Sequence, residues 1–157
     1  MILQFKSTKY AWGNDFHILD EDGNRKFKVR SSTLLWVKKL EVFDLEKNHL
    51  ITIKKDPKSL VKKKFDIHID GYQDVSITKE LSIIPRYIFE GLEWDMNGIM
   101  LHDYQMFHNG QMILSIREKE DPDWGIRPIL EIFDPVEELM ALAVVLTISY
   151  AMPAKDA

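Results

Sequence analysis

The chain has 157 residues, is 45% hydrophobic and 29% charged, carries a formal net charge of −4 and contains no cysteine. A chain of this size buries a substantial core without metal or disulfide staples, so a single domain is expected over residues 1–153, with 154–157 as a short tail. The acidic balance argues against a dedicated nucleic-acid binder, and the missing cysteines suit a reducing compartment.

The opening segment Met1-Ile2-Leu3-Gln4-Phe5-Lys6 lacks the charged region, longer apolar stretch and small-residue cleavage site of a secretory signal, which makes the cytoplasm the expected location. From Phe16 onward one unit recurs: an apolar-polar alternation, an acidic or amide residue, a turn, then a second alternation that often closes on lysine. Its landmarks are Phe16 to Asp20, Leu40 to Asp44, Phe65 to Asp70, Tyr104 to Asn109 and Leu130 to Asp134, spaced by about 25 residues with one longer gap near Trp94. Period-two alternation in short runs is the strand signature. The intervening Asp22-Gly23-Asn24, Glu46-Lys47-Asn48, Asp70-Gly71-Tyr72, Asn97-Gly98 and Asn109-Gly110 supply the positive φ angles that hairpin turns demand. Five or six hairpins make roughly a dozen strands, too many for a comfortable open sheet, which points to closure or a sandwich, and closure also removes exposed edges.

Six lysines, Lys54, Lys55, Lys58, Lys62, Lys63 and Lys64, fall within eleven residues around Asp56-Pro57, where one hairpin ends and the next begins. Gathered at one rim, they would suit phosphate or an anionic lipid headgroup, each worth about 1 kcal/mol beside an anionic surface. The plainer reading is a solvated loop whose lysines keep strand ends from pairing with other chains.

Other chemistry-bearing residues do not assemble. His17, His49, His68, His102 and His108 have no metal-ligand spacing, and no cysteine is present to share a zinc site. Glu90, Glu93, Asp95 and Asp103 read as charges flanking a turn rather than paired catalytic carboxylates. The segment Asp20-Glu21-Asp22-Gly23-Asn24 lacks the full ligand set of a calcium loop. Nucleophile elbows, phosphate loops and dinucleotide fingerprints are missing too. Trp12, Trp36, Trp94 and Trp124 are expected to pack between strands or cover the barrel's ends.

The last element is different in kind. Asp134 is a good N-cap, Pro135 suits the first helical position, Glu137 and Glu138 complement the helix dipole, and Pro153 supplies a stop. Between them Leu139 to Met152 is apolar on every side. A spanning helix needs roughly 20 apolar residues, so this shorter run is expected to be a buried core helix rather than a membrane anchor. A helix about 10–12 Å across fits the hole that a dozen strands leave.

Several segments, in this order, resemble the LURP-one-related family: Trp12-Gly13-Asn14-Asp15-Phe16-His17-Ile18-Leu19-Asp20-Glu21-Asp22-Gly23-Asn24, Leu40 to Lys55, Glu90-Gly91-Leu92-Glu93-Trp94, and Ala141-Leu142-Ala143-Val144 before an apolar tail. The resemblance implies the tubby C-terminal-like fold, a closed antiparallel barrel of about twelve strands around a central hydrophobic C-terminal helix, mainly β in class. It also implies kinship with phosphoinositide-binding tubby proteins and with phospholipid scramblases. The expected function is a non-enzymatic binding or scaffold module, with anionic membrane lipid or a protein as partner. No nucleic acid, no metal, no cofactor and no membrane span are expected. A protein-interaction scaffold and an unrecognised enzyme are the alternatives.

Overall fold

A computed structural model describes residues 1–6, 15–34, 37–58, 62–80, 83, 86–100, 103–123, 125–133 and 138–152. Strands β1 (Ile2–Lys6), β2 (Phe16–Leu19), β3 (Arg25–Leu34), β4 (Val37–Asp44), β5 (His49–Lys55) and β6 (Lys63–Ile69) form the first half. The second half holds β7 (Val75–Glu80), β8 (Arg86–Glu90), β9 (Trp94–Met100), β10 (Asp103–His108), β11 (Gln111–Asp121) and β12 (Gly125–Ile132), before helix α1 (Glu138–Leu146). All twelve strands join one antiparallel sheet in the order β8-β7-β6-β5-β4-β3-β2-β1-β12-β11-β10-β9. Two meanders are thus stitched together where β1 meets β12, with Leu3 opposite Leu130. The result is a nearly closed barrel.

The turns work as their residues suggest. Asp20 accepts the backbone N–H groups of Asp22 and Asn24 at 3.0 and 2.9 Å, and Asp44 does the same for Glu46 and Asn48 at 2.9 and 2.8 Å. Gly23 (φ 85°) and Lys47 (φ 68°) occupy equivalent left-handed positions in these two hairpins. Asn97-Gly98 is the exception. It lies inside β9 as a bulge, where the pairing with β10 slips between Asp103 and Gln105. A bulge needs positive φ as a turn does, and Gly98 (φ 104°) provides it.

Alternation along each strand sends one set of side chains inward, including Phe27, Val29, Leu40, Val42, Ile51, Ile53, Phe65 and Ile67, all buried. They enclose the helix. Met140 through Met152 are buried on every side, as an element with no polar face requires. Glu138 at its start pairs with Lys26 of β3 at 2.6 Å, and Tyr150 near its end stacks on Phe16 at 4.7 Å. The helix therefore runs from the pole that carries the turns after β2 and β4 to the opposite pole. Its last turn is π-helical over Thr147–Ala151, closed by the Met152 N–H to the Thr147 carbonyl at 2.9 Å. The Thr147 hydroxyl donates back to the Ala143 carbonyl at 2.7 Å, the kind of side-chain bond that loosens an α-helical ladder. The expected caps at Asp134 and Pro135 and the stop at Pro153 lie outside the described residues.

Candidate functional site

The lysine-rich segment is the β5–β6 connection at the pole where the helix ends. The connection is closed by the Asp56 N–H to the Lys64 carbonyl at 2.9 Å, and the Asp56 carboxylate accepts the Lys58 N–H at 2.8 Å. Turn chemistry therefore uses the aspartate. Strand parity divides the six lysines. Lys54 and Lys64 alternate with core residues and face outward, Lys58 sits in the turn, and Lys62 reaches Glu80 at 4.0 Å. Lys55 and Lys63 share the inward parity of Ile53 and Phe65, so their stems continue the core to the barrel mouth.

The fold adds cations that sequence spacing does not group. Lys39 pairs across to Lys54, and Lys63 to Lys79, which is only 9% exposed. Arg86 approaches the same Glu80 carboxylate at 3.8 Å. The rim from β4 to β8 is thus rich in lysine, with Glu41, Asp56, Asp66 and Glu80 as its interspersed acids among the described residues. Burial raises the Asp66 carboxyl above its ordinary value while Lys64 pulls it the other way. The helix's C-terminal carbonyls face this pole, which favours cations there. The opposite pole is acidic through its turns, with Asp20, Asp22, Asp44, Glu46, Asp70 and Asp74. Around the barrel from β6, the β11–β12 hairpin carries Glu118, Glu120, Asp121 and Asp123.

Lateral pairing describes the four lysines that lie on strands. Strand-end protection presupposes an edge, but β5, β6 and β7 are each paired on both sides. Lys54, Lys55, Lys63 and Lys64 therefore lie on strands bonded on both sides, while Lys58 and Lys62 lie in the connection between them.

A second surface rich in cations lies on the outer face of β2–β4, a groove of about 420 Å³ lined by His17, Lys28, Arg30, Phe43, Asp44, Leu45 and Lys47. Cross-strand register assembles it, with Lys28 between His17 and Phe43. The Arg30 guanidinium stands 5.4 Å from the Phe43 ring. Burial, then Arg25, Lys28 and Lys6, hold His17 below the usual histidine range. Only the period-two parity of Lys28 and Arg30 hints at this groove in the sequence.

The remaining candidates are spread apart. His49 contacts Thr52 at 2.9 Å and Glu41 at 3.3 Å, His68 contacts Asp74 at 2.7 Å and Asp70 at 3.2 Å, and His108 contacts the Glu93 carbonyl at 3.1 Å. His102, Trp12, Trp36 and Trp124 lie outside the described residues. Glu90 is engaged by the Ser76 hydroxyl at 3.2 Å. Among the described residues no group of three or more His, Asp or Glu side chains is placed to hold a metal ion, and no helix is long and apolar enough to cross a membrane.

Twelve antiparallel strands around a C-terminal helix buried from Met140 onward define a helix-filled β-barrel, and comparison with known proteins names the family. A model of LURP-one-related proteins matches residues 1–149, and the chain belongs to that family. It is similar to the uncharacterized protein YxjI of Bacillus subtilis (strain 168), 23% identical over 151 residues, which span 96% of this chain and 93% of that protein. An X-ray structure of a protein from Arabidopsis thaliana superposes with a TM-score of 0.60 over 92% of this chain and 87% of that one, at 12% sequence identity, a likeness of fold.

Proposed function

We propose that the protein is a non-enzymatic binding module that docks on anionic phospholipid surfaces through the β4–β8 rim. The carrying observation is the concentration of lysines on and between strands bonded on both sides, at the pole opposite the acidic turns after β2, β4 and β6. Acids in those turns have a folding role, since Asp20 and Asp44 satisfy backbone N–H groups. Charge separated in this way orients a protein on a negative membrane even when its net charge is negative. The tubby kinship suggested by the sequence supports the same reading.

Cosedimentation with vesicles tests it. Binding should require phosphatidylserine or phosphoinositide in phosphatidylcholine vesicles and weaken as salt rises. Replacing Lys62, Lys63 and Lys64 together with glutamine removes about 3 kcal/mol at roughly 1 kcal/mol per charge, or about a hundredfold in partitioning. Binding that ignores lipid charge, or survives that triple replacement, sinks the proposal.

A further inference from the structure

Among the described residues, the barrel wall opens between β8 and β9. Inward-facing Ile53, Ile67, Ile77, Leu114 and Ile116 are at most 1% exposed. Tyr87 and Phe89 of β8 and Met96 of β9 share that inward parity yet remain only partly buried. The cause lies in the ladder. β8 is bonded to β7 and β9 to β10, but among the described residues β8 and β9 are not bonded to each other, although only Gly91-Leu92-Glu93 joins them. A cleft of about 440 Å³ opens between them.

Both walls of this cleft are strand edges, so both present N–H and C=O groups toward it. A compact ligand or an acyl chain would leave these two rows unpaired. An extended backbone pairs both, continuing a sheet that already runs to each side of the gap. The side chains specify the rest. Tyr87, Phe89, Trp94 and Met96 line the inner side of the cleft and call for apolar residues at alternate positions. Asp95 lines its outer side near the β8–β9 connection, where charge complementarity calls for a cation, and Arg86 lines the far end, held toward Glu80 at 3.8 Å. β8 has five residues, which sets the matching strand at about 17 Å, given roughly 3.3 Å per residue.

We infer that the β8–β9 cleft is a strand-docking site for an extended partner peptide of alternating apolar and polar residues, with a lysine or arginine on its outward face. The inserted strand completes the ring. This assignment does not rest on membrane binding, and the rim lysines are left intact in its test.

The probe is an acetylated, amidated seven-residue peptide alternating valine or isoleucine with threonine or lysine, added to the full chain. Saturable binding is expected below about 1 mM, with hydrogen-exchange protection gained at residues 86–90 and 94–98. N-methylating alternate peptide residues should weaken binding at least about tenfold, because it removes the backbone donors along one edge. Phe89→Lys should abolish binding by placing a charge on the cleft's inner face. Where that variant does not fold, the N-methylated peptide on the unaltered protein reads the same contact. The assignment is overturned by no binding up to that concentration, by equal binding of the methylated peptide, or by protection elsewhere. Concentration-dependent self-association that protects the same residues without peptide also overturns it, since a second copy would then be the occupant.

Discussion

Replacing Leu142 with alanine asks whether the strands close on the helix as their core. Leu142 is 0% exposed, midway along α1 and between the buried Ala141 and Ala143. The barrel around it cannot collapse into the void, because the ladder holds strands at about 4.8 Å spacing. The loss should therefore fall high in the range for buried leucine truncation, about 3–5 kcal/mol. For a domain of this size that lowers Tm by about 6–20 °C. Ile88, 40% exposed on the outer face of β8, is the control, and Ile88→Ala should cost about 1 kcal/mol or less. Urea unfolding followed by tryptophan fluorescence measures both, provided the m-values agree. Leu142→Asp goes further. An unpartnered carboxylate adds several kcal/mol against a total stability of about 5–15 kcal/mol, so no soluble folded protein is expected. Equal costs for Leu142→Ala and Ile88→Ala would refute the enclosed-core account. A folded, soluble Leu142→Asp that merely loses membrane association would instead favour a tail anchor.

Lys47 occupies the left-handed position that Gly23 fills in the equivalent hairpin, so Lys47→Gly should stabilise by about 0.5–1 kcal/mol in denaturant titration. Gly98→Ala should cost at least about 2 kcal/mol, because at φ 104° its Cβ would lie 2.8 Å from the Asp103 carbonyl oxygen and 3.0 Å from the Tyr104 Cα. Gly23→Ala meets nothing within 4 Å and should lose only the left-handed penalty, about 1 kcal/mol. NMR titration should find His68 above the ordinary 6.5, raised chiefly by its hydrogen bonds to Asp74 and Asp70, and Asp74→Asn should bring it down. Because its folded value is raised, the stability it contributes is full below 6.5 and is lost as pH rises through the folded value. His17 should titrate below 6.5, so its contribution has the opposite sign: stability falls as pH drops through 6.5 toward its folded value. Coincident titration of the two histidines would contradict both assignments.

The hairpins were legible because both of their determinants are local: period-two alternation and an Asp or Gly at each turn. The helix was legible because an element without a polar face has one kind of destination. Asn97-Gly98 was misread because positive φ serves a bulge and a turn alike, and only the Met100–Asp103 and Asn97–Gln105 pairings distinguish them. The site was half legible for a related reason. Lys54 to Lys64 are neighbours in sequence, whereas Lys39 and Lys79 join them only through cross-strand register. The β2–β4 groove and the β8–β9 cleft depend on which strands are bonded to which. The β1–β12 pairing, with the Ile132 N–H on the Met1 carbonyl at 2.8 Å, is likewise set by the whole chain rather than by any window of it.

Edge protection, the plain explanation for surface lysines on strands, makes a positional claim that the barrel lets one check. It expects charges on the strands whose edges are free. Here those strands are β8 and β9, and their charged residues are Arg86, Glu90 and Asp95, with Arg86 already turned toward Glu80. The dense lysines sit instead on β5 and β6, where both edges are bonded. Lysine density and free edges thus fall on different strands: the cationic rim lies on bonded strands, and the gap between β8 and β9 carries few charges. With the interior filled by the helix, binding chemistry is confined to the wall and its ends. A surface carrying surplus charge attracts an anionic partner, and an edge lacking it admits a strand. The two surfaces need not serve the same ligand. Their tests are accordingly separable, since replacing Lys62, Lys63 and Lys64 should leave peptide protection at residues 86–90 unchanged while vesicle binding is lost.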